Sequence, residues 1–93
     1  MSEKEEKEEW ERIQKIIDAL NENYKKFGYF EIWLKDNSKV IGSEFTISYY
    51  NYYIKEFYVI IQKNDIVYAK IRDSSIKYIG PEIFIFEENE KNE

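Results

Sequence analysis

The spacing of apolar residues changes once along this chain, at Gly28, and this change limits the fold more than any other feature. Before Gly28, apolar side chains recur every three or four positions, which places them on one stripe of an α-helix. The stripe consists of Trp10, Ile13, Ile17, Leu20, Tyr24 and Phe27. After Gly28 the spacing becomes two, as in β-strands. The sequence therefore predicts an N-terminal helix that ends at Gly28, after Lys25 and Lys26, followed by an antiparallel β domain.

Polar turns divide the rest of the chain into five or six short strands. The predicted strands begin at Phe30, Lys39, Glu56, Ile66 and Ile76, and the apolar run IFIF at residues 83–86 is a further candidate. The second strand contains Gly42, and a glycine inside a strand often marks a sharp bend. The turns fall at Asp36-Asn37, whose residues tolerate positive φ, and at Lys63-Asn64-Asp65. Strands this short and numerous predict a small, strongly bent antiparallel barrel.

Composition excludes several classes of function. The 93 residues correspond to one domain, with no cysteine and no histidine. Disulfides, thiolate metal sites, the usual zinc ligand and the commonest general base are therefore absent. With no phosphate-binding glycine loop and no strong carboxylate pair, we expect no catalysis, no cofactor and no metal. The apolar runs are far shorter than the roughly 20 residues that span a bilayer, and the N-terminus is charged, so we expect a cytoplasmic protein without membrane contact.

Charge is distributed unevenly along the chain. The net charge is −5, and residues 1–12 carry −3, from six Glu against three basic residues. Residues 87–93 carry another −3, from four Glu against one Lys, which leaves +1 for residues 13–86. We therefore divide the chain into a charged extension of the helix (1–12), a single domain (13–86) and an acidic tail (87–93). The abundance of Lys, Glu and Ile is typical of hyperthermophiles, and also of AT-rich genomes.

Two segments resemble the sequence motifs of a known family. The first is LKDNSKVIG, residues 34–42, and the second is IRDSSIKYI, residues 71–79. In this order, behind a helix, they resemble the two motifs of the Sm-like (LSm and Hfq) family. Asn37 and Asp73 stand where that family commonly has glycine. The family's Asp near the end of the second strand is missing, since Ser48 or Tyr49 lies there.

The resemblance implies a ring of six or seven subunits that binds single-stranded RNA. In such rings the fourth strand of one subunit pairs with the fifth of its neighbour. The residues that the resemblance and the chemistry of RNA recognition assign to RNA are Tyr50, Asn51, Lys70, Arg72 and Ser74. Tyrosine stacks on bases, amides and hydroxyls bond base edges, and cations meet phosphate.

Two alternatives remain open. The chain could be a small SH3-like barrel that binds protein through its tyrosine-rich surface or serves as an accessory subunit, because the body of the domain is nearly neutral and phosphate-dominated binding needs a basic excess. It could also be an Sm-like protein that has kept assembly and lost RNA binding. If Asn51 and Arg72 converge in one pocket, binding of RNA is favoured. If the tyrosine patch is remote from Arg72, binding of a protein is favoured.

Overall fold

The structure is a computed structural model that describes residues 3–51 and 56–86, with side chains described for residues 11–48 and 56–86. One helix precedes seven strands in the described chain. The elements are α1 (Glu3–Phe27), β1 (Phe30–Leu34), β2 (Lys39–Gly42), β3 (Glu44–Asn51), β4 (Glu56–Lys63), β5 (Ile66–Arg72), a single 3₁₀ turn (Asp73–Ser75), β6 (Ile76–Gly80) and β7 (Phe84–Ile85).

The strands form two antiparallel sheets. One sheet has the order β2-β1-β6-β7 and the other β3-β4-β5. The prediction of a mainly β domain behind an N-terminal helix is confirmed. The finer expectation of five or six strands in a strongly bent, closed or nearly closed barrel is not shown, because the described residues form seven strands in two sheets and no closed barrel. The count rises because the predicted second strand divides at Ser43 and because the IFIF run contributes β7.

Gly42 explains where the second strand divides. A Cβ at this position would lie 2.6 Å from Cγ2 of Ile61 and 3.0 Å from Cε1 of Phe30, closer than side chains tolerate. The backbone of β2 therefore passes directly over the core, and the chain turns into the second sheet at the next residue. Tyr68 joins the two sheets at this bend, since its hydroxyl donates to the carbonyl oxygen of Ile41 at 2.9 Å. The predicted bend at Gly42 is confirmed.

The helix covers the apolar core between the sheets. Its buried residues are Ile13, Ile16, Ala19, Leu20 and Asn23. The strands contribute the other core side chains, namely Phe30, Ile32, Phe57, Val59, Ile61, Ile71, Ile76, Ile79 and Phe86. The predicted helical stripe is wrong at its C-terminal end, because Tyr24 and Phe27 are exposed. Asn23 takes the inward position there, where the helix faces the turn after β6.

The local turn predictions are confirmed. Gly28 has φ of 84°, and its N–H donates to the carbonyl oxygen of Tyr24 at 2.8 Å, which closes the helix. Asn37 adopts φ of 71° between β1 and β2, and Asn64 and Asp65 adopt 53° and 67° between β4 and β5. Asn and Asp are the non-glycine residues that best tolerate this conformation. The residues in the two turns therefore favour both hairpins without help from the rest of the fold.

Asn23 fastens the helix to the turn after β6. Its side-chain nitrogen donates to the carbonyl oxygens of Ala19 at 2.9 Å and Glu82 at 3.1 Å, and its oxygen accepts from the Glu82 N–H at 2.6 Å. Lys26 adds an exposed ion pair with the Glu82 carboxylate, which raises the pKa of Lys26. A buried asparagine satisfied in this way holds α1 at one angle across the sheets.

Candidate binding surface on the three-stranded sheet

The register of β3, β4 and β5 brings polar and aromatic side chains together on the outer face of their sheet. Ser48, Tyr58 and Arg72 stand opposite one another across the three strands. Phe57, Val59 and Ile61 on the alternate positions of β4 are buried, so Tyr58 points to the opposite, outer face.

Two cations flank Tyr58 on this face. Lys70 Nζ lies 4.8 Å from the centre of the Tyr58 ring, a cation–π contact. Arg72 Nε lies 3.4 Å from Oε1 of Glu56, the first residue of β4. Because Oε1 of Glu56 is shielded from solvent, the guanidinium of Arg72 compensates a carboxylate that would otherwise be costly at this position. Arg72 is thus exposed to solvent and also engaged by an acid.

Asn51 and Arg72 lie at the same end of the sheet. Asn51 stands opposite Glu56 in the β3–β4 register, and Arg72 contacts the side chain of that same Glu56. Tyr50 falls at a bulge, where the register shifts between Tyr49 and Asn51. The side chains of Tyr50 and Asn51, and the whole of residues 52–55, lie outside the described part of the chain. The backbone thus brings the two strand ends together, and whether Asn51 and Arg72 share one pocket stays a prediction.

Arg12 on helix α1 contacts the 3₁₀ turn between β5 and β6. Asp73 is buried, and Arg12 reaches it with Nε to Oδ2 at 3.4 Å and with an N–H to the carbonyl oxygen at 3.1 Å. The Phe57 N–H points to Oδ1 of Asp73 at 3.5 Å. Ser74, the next residue, is exposed on the 3₁₀ turn. Asp73 therefore belongs to the domain's packing, whereas the neighbouring Ser74 is exposed to solvent.

Strand β5 presents an open edge. Among residues 3–51 and 56–86 it has a neighbouring strand, β4, on one side only. Its first three residues are apolar and exposed: Ile66 at 69%, Val67 at 55% and Tyr68 at 51%. The register with β4 shifts at Tyr68. Beyond the shift, Val67 lies opposite Gln62 and Ile66 lies opposite Lys63. Sequence reasoning missed this surface, although three consecutive apolar residues after a turn are a departure from strict alternation that signals it.

The corresponding edge of the other sheet is covered. β7 pairs with β6, setting Tyr78 opposite Ile85 and Ile79 opposite Phe84. The Phe86 N–H then donates to the carbonyl oxygen of Lys77 at 2.9 Å. The C-terminal apolar run thus occupies the side of β6 that faces away from β1.

An aromatic row crosses the outer face of the four-stranded sheet. Trp33 on β1 stacks on Tyr78 of β6, with ring centres 5.5 Å apart and planes 18° from parallel. Lys39 Nζ on β2 lies 5.0 Å from the Trp33 ring centre. Because β1 lies between β2 and β6, Trp33 is contacted from both neighbouring strands. These contacts stabilise the sheet.

Comparisons of this chain with protein-family models, with curated proteins and with solved structures found no match. Within the described residues, no three Asp or Glu side chains are close enough to hold a metal ion. None of the helices in that part of the chain is both long and apolar enough to span a membrane.

Proposed function

We propose that this chain is a protein-interaction module, a small β domain of the SH3-like kind that accepts an extended strand at the edge of β5. The observation that carries the proposal is the open edge of β5 with Ile66, Val67 and Tyr68 exposed. An unpaired edge offers a row of backbone donors and acceptors, and exposed apolar side chains beside it add affinity and selectivity.

The order of strand pairing supports the small-barrel class. β1 pairs with both β2 and β6, the second strand bends at Gly42, and a 3₁₀ turn separates β5 from β6. A bent second strand that contributes to both sheets is how small Sm-like and SH3-like barrels close on themselves. We therefore retain the Sm-like or SH3-like class as a proposal about the fold.

The covered edge of β6 favours protein binding over the Sm-like ring. In that ring the strand corresponding to β5 pairs with the strand corresponding to β6 of the next subunit. Here β7 of the same chain lies where the neighbour would dock, along Tyr78 and Ile79. A ring would require β7 to leave, together with Phe86, which is buried in the core. No strand of residues 3–51 or 56–86 covers the open edge of β5.

A peptide-selection experiment tests the proposed function. Linear peptides are selected from a random display library against the full chain, and their affinities are measured by fluorescence anisotropy. We expect alternating apolar peptides whose binding is lost in Ile66→Lys and retained in Ile85→Lys, a matched change at an exposed isoleucine on β7. Hydrogen exchange of the complex is expected to slow in β5. If protection appears away from β5, or if no peptide is enriched although the chain is monomeric, the proposed function is wrong.

RNA binding is the second candidate, and one observation favours it. Lys70 and Arg72 flank Tyr58 on one outer face, at the sheet end where Asn51 also lies. For this function Arg72→Ala is expected to weaken binding of a labelled oligouridine strand without changing assembly. Glu56→Gln is the matched test, because removing the acid beside Arg72 should strengthen binding of a phosphate backbone. Unchanged affinity in both variants would exclude this face as the RNA site.

A further inference from the structure

We infer that the strand accepted by β5 comes from a second copy of this chain, so that two β5 edges pair antiparallel about a two-fold axis. This inference rests on the proposed function of β5 as a strand acceptor. The two three-stranded sheets would then form one six-stranded sheet across the dimer. An isologous contact of this kind closes on itself and removes the open β5 edge of each copy.

The residue order of β5 suits pairing with itself. The strand has an apolar half, Ile66 to Tyr68, and a cationic half with Lys70 and Arg72, and Ala69 lies between them. Antiparallel pairing centred on Ala69 sets the two Ala69 residues opposite each other and lays the apolar half of each copy along the cationic half of the other. No cation then faces a cation, which would be destabilising across a strand pair.

Local contacts reduce the remaining charge repulsion between two such edges. The positive charge of Arg72 is balanced by Glu56 within each copy, at 3.4 Å. Lys70 lies over the ring of Tyr58 of its own copy, at 4.8 Å from the ring centre.

Pairing of β5 with β7 of another copy fits the structure less well. β7 has two residues, Phe84 and Ile85, whereas β5 has seven. A two-residue strand can offer only a fraction of the backbone hydrogen bonds that a second β5 offers. β5 also contains no proline, the residue that blocks edge pairing outright. The edge of β5 is therefore better matched by a second β5 than by β7.

Solution mass gives the first test. Light scattering on a sizing column, from micromolar to near-millimolar protein, is expected to show 22.8 kDa, twice the chain mass of 11.4 kDa. Ile66→Lys places a lysine in the apolar half of the paired edge, alongside the cationic half of the second copy, so we expect it to halve the mass. Ile85→Lys, on the edge that the inference leaves unused, should keep the mass of the dimer.

Engineered cysteines test the register, because the natural chain has none. Ala69→Cys places the two thiols directly opposite each other, at a Cα separation of roughly 4.5–5.5 Å that a disulfide can bridge. Val67→Cys places them four residues apart along the sheet, roughly 13 Å, which is too far. Under mild oxidation the first variant should form a covalent dimer and the second should not.

The outcomes separate this inference from the proposed function. A monomer at every concentration overturns the β5 dimer, while peptide binding at β5 would leave the strand-acceptor function standing. A mass six or seven times that of the chain, or a dimer lost in Ile85→Lys, overturns the inference in favour of head-to-tail assembly. A monomer that also selects no peptide overturns both. Crosslinking of Val67→Cys in place of Ala69→Cys would refute the register.

Discussion

Replacing Asn23 with alanine should cost this domain a large part of its stability. The Asn23 side chain is fully buried and makes three hydrogen bonds, two of them to the backbone of Glu82. The substitution leaves the N–H and the carbonyl oxygen of Glu82 without these partners beneath the helix. Each unsatisfied buried group costs about 1–3 kcal/mol, and partial access of solvent to Glu82 favours the lower end. We expect a loss of about 2–3 kcal/mol in the free energy of unfolding.

Thermal and urea unfolding, followed by circular dichroism, measure this loss. For a domain of this size, 1 kcal/mol shifts the melting temperature by roughly 4–8 °C, so the expected decrease is roughly 10–20 °C. Asn21→Ala is the matched control, since Asn21 is exposed on the same helix and the gain in helix propensity is the same. Equal melting temperatures for the two variants would refute the argument that Asn23 fastens α1 to the turn after β6.

Three further predictions concern other parts of the fold. Gly42→Ala should destabilise the domain by about 1–3 kcal/mol in urea unfolding, because its methyl group would lie within 2.6 Å of Ile61; no loss would mean that β2 can move outward freely. Arg12→Ala should cost about 1–3 kcal/mol in the same assay, since it removes the ion partner of the buried Asp73. The pKa of Asp36 is lowered by hydrogen bonds from the hydroxyl and N–H of Ser38. Its ionised form therefore stabilises the fold above its ordinary pKa of 3.8, and this contribution disappears as the pH falls through the lower, folded pKa. The melting temperature of Asp36→Ala should accordingly approach that of the natural chain in acid, and a constant difference at all pH values would contradict this.

The sequence predicted those parts of the fold that local chemistry decides. Helix termination at Gly28 and the turns at Asn37 and Asn64 depend on residues that favour positive φ, whatever surrounds them. The buried face of the helix was predicted less well, because Tyr24 and Phe27 continue the apolar spacing beyond the point where the sheets end. Tertiary packing decides how many turns of a helix pack against the core, and the spacing of apolar residues along the helix does not predict that number.

The candidate binding surface was predictable only in part. Lys70 and Arg72 were named from the sequence, and both are exposed on the described surface. Their neighbours, Tyr58 and Glu56, follow from the register of β4 against β5, which a sequence alone does not specify. A register one residue different would have turned Arg72 away from Tyr58. The ion pair between Arg72 and Glu56 could therefore not be predicted from the sequence.

Arg12 on α1 contacts the two segments that follow the edge strands β5 and β7. Arg12 donates to the carbonyl oxygen of Phe86 at 3.3 Å and holds Asp73 at the end of β5. The guanidinium thus anchors the segment that follows β7 and the turn that follows β5, from a single position on α1. Because β7 covers β6, while β5 has a neighbouring strand on one side only among the described residues, the helix stabilises an arrangement in which β6 is covered and β5 is accessible.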